Sequence, residues 1–248
     1  MDIILYTKND ADRDVVDTIS KMLRTEPTDR LPESAREGLY LQIDKDGLFL
    51  VENGHILRGD FTKSKSRLIP NNLNGELLVK AAKLKNIQGA PMAVDATAGL
   101  GEDSLLLAAV GYNVRLYERN PVIAALLCDA LRRGALDPQL APIISRMELH
   151  PEDSIAMLPR LAPSPDIVLL DPMFPIRQKS GLVKKKFQML QQLEQPCSDE
   201  QTLLNAALSA APQRIVIKRP LKGPYLAGVK PSYALKGKAI RYDCIVLR

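Results

Sequence analysis

The sequence has few of the residues that build metal and redox sites. Its 248 residues include only three cysteines and two histidines. Cys128, Cys197 and Cys244 are scattered, odd in number and without C-x-x-C spacing, and His55 and His150 stand far apart, so neither a zinc cluster nor a disulfide framework is expected. The thiols read as small buried apolar residues in a reducing compartment. Long hydrophobic runs are lacking as well. A stretch such as Val122–Cys128 falls far short of the ~20 residues that a membrane-spanning helix requires, and the N-terminal MDIILYTKND carries no basic segment ahead of an apolar one. These absences point to a cytoplasmic protein with no metal and no membrane partner. No internal repeat or low-complexity tract interrupts the chain. A chain of this length buries roughly 70% of its unfolded surface, enough for one large α/β domain and a small appendage without disulfides.

Charge is modest in sum and uneven in placement. The net charge is +5. Residues 1–60 hold 8 basic and 13 acidic side chains, whereas the other 188 hold 26 and 16. Arg177, Lys179, Lys184, Lys185 and Lys186 follow one another with no acid between them, and residues 214–248 carry nine basic side chains against Asp243 alone. Such clustering is the electrostatic footprint of a polyanion partner, although a solvated basic face accounts equally well for any single cluster.

The stretch from Met92 to Glu118 organises the chain. An apolar strand (Met92, Ala93, Val94) ends in Asp95, Gly99 and Gly101 make a tight turn, and Leu105–Ala109 continue as a helix closed by Gly111. A second strand, Val114–Tyr117, delivers Glu118 at its C-terminal end, 23 residues after Asp95. In a parallel βαβ unit such an acid binds ribose hydroxyls while bare glycine backbone lets a nucleotide-like ligand approach. The turn departs from G-x-G-x-x-G: Thr97 stands at the first glycine position, and Glu102 and Asp103 occupy the helix start. Two carboxylates there repel a pyrophosphate. They suit a cation bearing an amino group and a sulfonium, which describes S-adenosylmethionine. A purely structural turn between strand and helix is the plainer alternative.

Before this unit, residues 1–62 read as a small α/β appendage: a strand at Ile3–Leu5, an amphipathic helix at Ala11–Leu23, and a hairpin joining Leu39–Ile43 to Leu48–Val51 through an Asp46-Gly47 turn. Residues 63–90 read as a polar connector and a leading helix, Glu76–Lys85. The methyl-donor domain is expected over 91–248. After Glu118, Asn120-Pro121 starts a helix over Val122–Arg133 that ends at Gly134. A strand near Arg146–Leu149 follows, then Asp153 and Ser154, which read as an adenine contact or, equally, as the cap of a short helix. His150 reads as a strand-end residue.

The second informative stretch is DIVLLDPMFP. Ile167–Leu170 form a continuous apolar run, as in a central strand covered on both faces. Asp171, Pro172 and Phe174 then leave its C-terminal end, where open α/β sheets place their reactions. Asp171 and the Pro172 carbonyl can accept the hydrogens of an exocyclic amine, turning its lone pair toward a methyl group, and Phe174 offers a face to a planar base. Ser198 with Gln201 reads as a capping box before a helix over Thr202–Ala211. A strand at Ile215–Ile217 ends in Lys218, Arg219 and Pro220, and Tyr233–Leu235 with Ile240–Leu247 form a terminal hairpin. Five βα units and a final hairpin make the pattern of a Rossmann-like class I methyltransferase: α/β, with a seven-stranded, mostly parallel sheet and a C-terminal antiparallel hairpin.

The blocks VDATAGLGEDS, YERNPVIAALLCDALRRG, LLDPMFP with the following KSGLVKKKF, and VIKRP resemble the ribosomal small subunit methyltransferase J family of bacterial 16S rRNA guanine-N2-methyltransferases. The resemblance runs from about Val94 to Pro220. It implies S-adenosylmethionine contacts at Glu102, Asp103, Glu118, Arg119, Asp153, Ser154 and Asp171, in addition to the turn formed by Asp95, Gly99 and Gly101. It also implies 16S rRNA or the small ribosomal subunit as partner, and on that reading the basic clusters, Lys179, Lys184, Lys185, Lys186, Lys218 and Arg219, are expected on phosphates. An adenine-N6 or protein-glutamine methyltransferase with a similar acceptor loop, and a non-catalytic rRNA-binding assembly factor, are the alternatives.

Overall fold

The computed structural model describes residues 3–33, 38–85, 89–172, 182–193 and 199–247, and of 182–187 the backbone only. Phe174, Lys179 and Cys197 lie outside the described residues, as do the side chains of Lys184, Lys185 and Lys186.

The N-terminal part opens with β1 (Leu5–Thr7) and α1 (Arg13–Leu23). Asp12 caps α1 by accepting from the Asp14 amide at 3.0 Å, and Arg24 in the left-handed region ends it. Next come β2 (Pro27–Thr28), β3 (Leu39–Asp44), β4 (Gly47–Glu52) and β5 (His55–Leu57). They form a five-stranded sheet ordered β2-β1-β3-β4-β5. The expected Asp46-Gly47 turn pairs Asp44 with Gly47, and Gly47 adopts φ 114°.

The stretch read as a polar connector is folded. A single 3₁₀ turn (Phe61–Ser64) is followed by α2 (Lys65–Leu68), α3 (Pro70–Gly75) and α4 (Leu77–Ala82). Phe61, Leu73, Leu78, Ala81 and Ala82 are buried in the main core. α4 falls within the expected leading helix, whereas Phe61 and Leu73 stand among polar residues in elements of four to six residues, too short to show a period.

The remaining elements are β6 (Met92–Asp95), α5 (Glu102–Ala109), β7 (Asn113–Tyr117), α6 (Pro121–Ala135), α7 (Ala141–Ile144), β8 (Met147–His150), α8 (Ser154–Met157), β9 (Ile167–Leu170), α9 (Leu182–Leu193), α10 (Glu200–Ser209), β10 (Arg214–Pro220), β11 (Tyr233–Lys236) and β12 (Ile240–Val246). The sheet order is β11-β12-β10-β9-β6-β7-β8. The five strands from β10 to β8 run parallel, while β12 pairs antiparallel with both β10 and β11. This is the expected seven-stranded, Rossmann-like sheet with its terminal hairpin. Ala93, Val94, Leu116, Ile167–Leu170 and Ile215–Val216 are all essentially inaccessible to solvent. Helices therefore cover both faces: α4, α5 and the end of α6 pack on one, α8 and α10 on the other. α10 begins two residues before the expected Thr202, with Asp199 capping it by accepting from the Thr202 amide at 2.8 Å, and Ser198 of the expected capping box lies outside the described residues. Gln201 instead reaches Asn205.

The N-terminal sheet shares a core with helices α6 and α9. Leu5, Ile19, Leu41, Ile43, Leu48 and Leu50 pack against Val122, Ala125 and Leu126 of α6 and Met189 of α9. Asp129 on α6 accepts from the Leu48 amide at 3.0 Å and pairs with Arg132 and Arg133. A Cβ on Gly47 would lie 2.6 Å from an Asp129 carboxylate oxygen, so glycine is needed for space as well as conformation.

Candidate active site

The chain order reverses at β6. From there it steps outward through β7 to β8, then returns to β9 and β10 on the other side, leaving a crevice beyond the C-terminal ends of β6 and β9. A cavity of about 490 Å³ occupies that crevice, a size suited to a mid-sized organic ligand.

The turn after β6 forms its floor. Gly99 (φ 55°) and Gly101 (φ 77°) both lie in the left-handed region. A Cβ on Gly101 would lie 2.7 Å from Leu127 Cδ1 and 3.3 Å from Phe61 Cζ, so this glycine lets the turn seat on α6. It does not itself line the cavity. The Gly99 amide donates to Glu118 Oε2 at 3.0 Å, and the Asn120 amide donates to Oε1 at 2.8 Å. The two amides fix the buried Glu118 carboxylate against the glycine turn, at the cavity wall.

Asp95 is buried and accepts from Ser104 Oγ at 2.6 Å and from the Thr97 amide at 3.1 Å. Burial, reinforced by the Asp103 and Asp171 carboxylates, pushes its pKa up to about 7 against those hydrogen bonds. Thr97 also acts through its side chain. The hydroxyl accepts the Asp171 amide at 2.6 Å, tying the glycine turn to the loop after β9. The sequence pattern does not single out Ser104 as a site residue, and it marks Thr97 only as a break in the glycine motif.

Asp103 and Asp171 face one another through Lys218. The Lys218 ammonium lies 2.8 Å from a carboxylate oxygen of each. Burial would lower the Lys218 pKa, but the two carboxylates outweigh it and hold the ammonium well above its usual range. Burial raises the Asp171 carboxyl, with Asp103 adding to the rise and Lys218 opposing it. The expectation that Lys218 sits on an RNA phosphate is corrected here, because its charge is taken up inside the cavity. Arg219 is corrected as well: its side chain is closed off from solvent, pairs with Glu200 at 3.0 Å and donates to the Pro224 carbonyl at 2.9 Å. Strand alternation points neighbouring side chains to opposite faces, so the two residues serve different neighbours.

Around the rest of the wall stand Glu102, Arg119, Asp153, Ser154 and Pro172, with Tyr117, Ile123, Ile155, Leu190 and Leu203 giving apolar surface. Glu102 and Arg119 are exposed. Asp153 caps α8 by accepting from the Ile155 amide at 2.9 Å, and it also lines the cavity. His150 stacks on Tyr117 with ring centroids 4.9 Å apart, as a strand-end residue would. The cavity thus brings together Asp95, Gly99, Glu102, Asp103, Glu118, Arg119, Asp153, Ser154, Asp171 and Pro172 from four strand ends. Among the described residues no group of histidine, cysteine and carboxylate side chains could hold a metal ion, and no helix is long and apolar enough to cross a membrane.

A family model described as "Putative SAM-dependent methyltransferase" matches residues 28–247. A protein of Dechloromonas aromatica named ribosomal RNA small subunit methyltransferase J is 43% identical over 221 residues, covering 86% of this chain and 89% of its own length. One of the same name from Neisseria gonorrhoeae is 36% identical over 237 residues, covering 94% of each. The crystal structure of a SAM-dependent methyltransferase from Neisseria gonorrhoeae superposes with a TM-score of 0.79 at 32% identity, covering 98% of this chain and 95% of that one.

Proposed function

This chain belongs to the ribosomal RNA small subunit methyltransferase J family of SAM-dependent methyltransferases, and from that premise we propose that it methylates the exocyclic N2 amine of a guanosine in 16S ribosomal RNA. The cavity fits the cofactor on its own terms: the carboxylates of Asp95, Asp103, Glu118 and Asp171 outnumber the Lys218 ammonium that pairs with two of them, an acceptor-rich wall suited to a cation with ribose hydroxyls. When bound, S-adenosylmethionine supplies the methyl group on a sulfonium. Glu118 would hold the ribose hydroxyls, and Asp153 with Ser154, beside Ile155 and Leu203, would hold the adenine.

The observation that carries the acceptor assignment is the fixing of Asp171. Its amide is held by Thr97 and its carboxylate by Lys218. With the Pro172 carbonyl beside it, the carboxylate can accept the two hydrogens of a planar exocyclic amine and hold the nitrogen lone pair toward the methyl donor. A guanine presented out of its stack brings its N2 to such a pair. Phe174 is proposed to pack on that base.

The test is transfer of labelled methyl to small ribosomal subunits from cells lacking the gene, followed by identification of the labelled nucleoside. N2-methylguanosine is expected. Label in N6-methyladenosine, or in ribosomal protein, would overturn the guanine assignment. Asp171→Asn should lower kcat by about 10²- to 10³-fold with cofactor affinity nearly unchanged; retained turnover would remove Asp171 from the acceptor site.

A further inference from the structure

The loops that rim the cavity beyond β10 carry a rigid, acid-free, lysine-bearing edge that the active site does not use. No aspartate or glutamate occurs between residues 201 and 242. Pro220 and Ile240 line the cavity, and between them the Leu221 amide donates to the Ala239 carbonyl at 3.0 Å. That bond brings the loop after β10 against the β11–β12 turn. Lys222 and Lys238 are the next residues on either side of that bond, each two positions from a residue that lines the cavity. Both are exposed, as is Lys236 on the same turn, and none of the three makes an ion pair among the described residues.

The rim is fixed from beneath. Arg241 is buried, pairs with Asp243 through two bonds of 2.8 and 3.0 Å, and donates its Nη1 to the carbonyls of Pro220, Leu221 and Gly223 at 2.8 to 2.9 Å. Arg219 holds the next carbonyl, that of Pro224. On the other side the Gly237 amide donates to the Ile240 carbonyl at 2.8 Å, and a Cβ on Gly237 would lie 2.6 Å from Leu77 Cδ1, so the turn is seated against α4. Two buried arginines thus organise backbone, while the lysines face solvent. The exposed ring of Tyr225 stands over the Arg241 guanidinium at 5.2 Å, on the same loop.

We propose that Lys222 and Lys238, with Lys236, form a preorganised clamp for the RNA phosphates that flank the guanosine entering the cavity. The proposal rests on the reading of this site as an rRNA methyltransferase. Lysines at the mouth of a cavity, on backbone that need not be ordered on binding, suit a polyanion whose reacting base must turn inward while its backbone stays outside.

The experiment compares wild type, K222A/K238A, K222R/K238R and a control, K21A/K45A, whose exposed lysines lie in the N-terminal part. Binding to small subunits lacking the modification is measured across a potassium chloride series, alongside the KM for subunits and the cofactor Kd. The expected result for K222A/K238A is a salt slope shallower by about 1 to 2, from roughly 0.7–0.9 per lost phosphate contact, and a KM raised about tenfold. Its cofactor Kd should stay within twofold of wild type, and K222R/K238R should behave as wild type. A K222A/K238A slope and KM equal to wild type, or changed no more than in K21A/K45A, would overturn the clamp while leaving the methyltransferase reading standing. Wild-type protein that neither binds nor methylates these subunits would overturn both.

Discussion

At Lys218 one ammonium serves two carboxylates, and that arrangement sets how Asp171 titrates. Removing it in Lys218→Met leaves Asp103 and Asp171 facing each other with no cation between them, so Asp171 should keep its proton to higher pH. Transfer that needs the ionised carboxylate is then lost at higher pH than in wild type. The acid limb of the kcat/KM profile is expected to move up in Lys218→Met and to return toward wild type in Lys218→Arg; an unmoved limb would show that Lys218 does not act through Asp171. Asp95 makes a second residue-scale prediction, on stability. Its folded pKa of about 7 lies above the ordinary value of 3.8. The unfolded chain therefore releases the proton at lower pH than the folded one. Stability from this group is full below pH ~4 and falls as pH rises to about 7, by up to about 4 kcal/mol. In Asp95→Asn that decline should vanish from urea-unfolding curves taken between pH 4 and 7. Sequence shows Asp95, Glu118 and Asp171 because each closes an apolar strand and strand ends converge in a parallel sheet. It misplaces Lys218, whose partner Asp103 is 115 residues away. A basic residue after a strand looks the same whether it meets a phosphate or a carboxylate.

Among the elements, α6 has two loyalties. Its Leu127 and Ala130 belong to the main core, and its Val122, Ala125 and Leu126 to the core of the N-terminal sheet. Few polar residues interrupt it, as expected of a helix covered nearly all round. Asp129 is its buried charge, and its partners are the backbone of β4 and the arginines Arg132 and Arg133 of the last turn. Asp129→Ala should orphan the buried Leu48 amide and release Arg133, costing about 1–3 kcal/mol in urea unfolding; a cost below about 0.5 kcal/mol would mean that water replaces the carboxylate. Helices and strands with strong periodicity are legible in the sequence to within one or two residues. The short helices over 65–75 are not, since they owe their form to the core they cover rather than to their own pattern.

For the whole molecule, the shared core predicts that the N-terminal sheet is not dispensable. A chain beginning at residue 58 would expose Val122, Ala125, Leu126 and Met189 together. It is expected to be aggregated or to melt far below the full chain, and a monomeric, cooperatively melting product of unchanged Tm would refute this. The sequence by itself determined the fold class, the glycine turn and the acids at the strand ends, because periodicity, turn chemistry and strand termini are local properties written within a dozen residues. Only the tertiary structure decided which charges meet. It placed Lys218 between Asp103 and Asp171, buried Arg219 and Arg241, and joined the loops that carry Lys222 and Lys238. Charge pairing depends on distance through space, and the topology of the sheet sets that distance independently of separation along the chain.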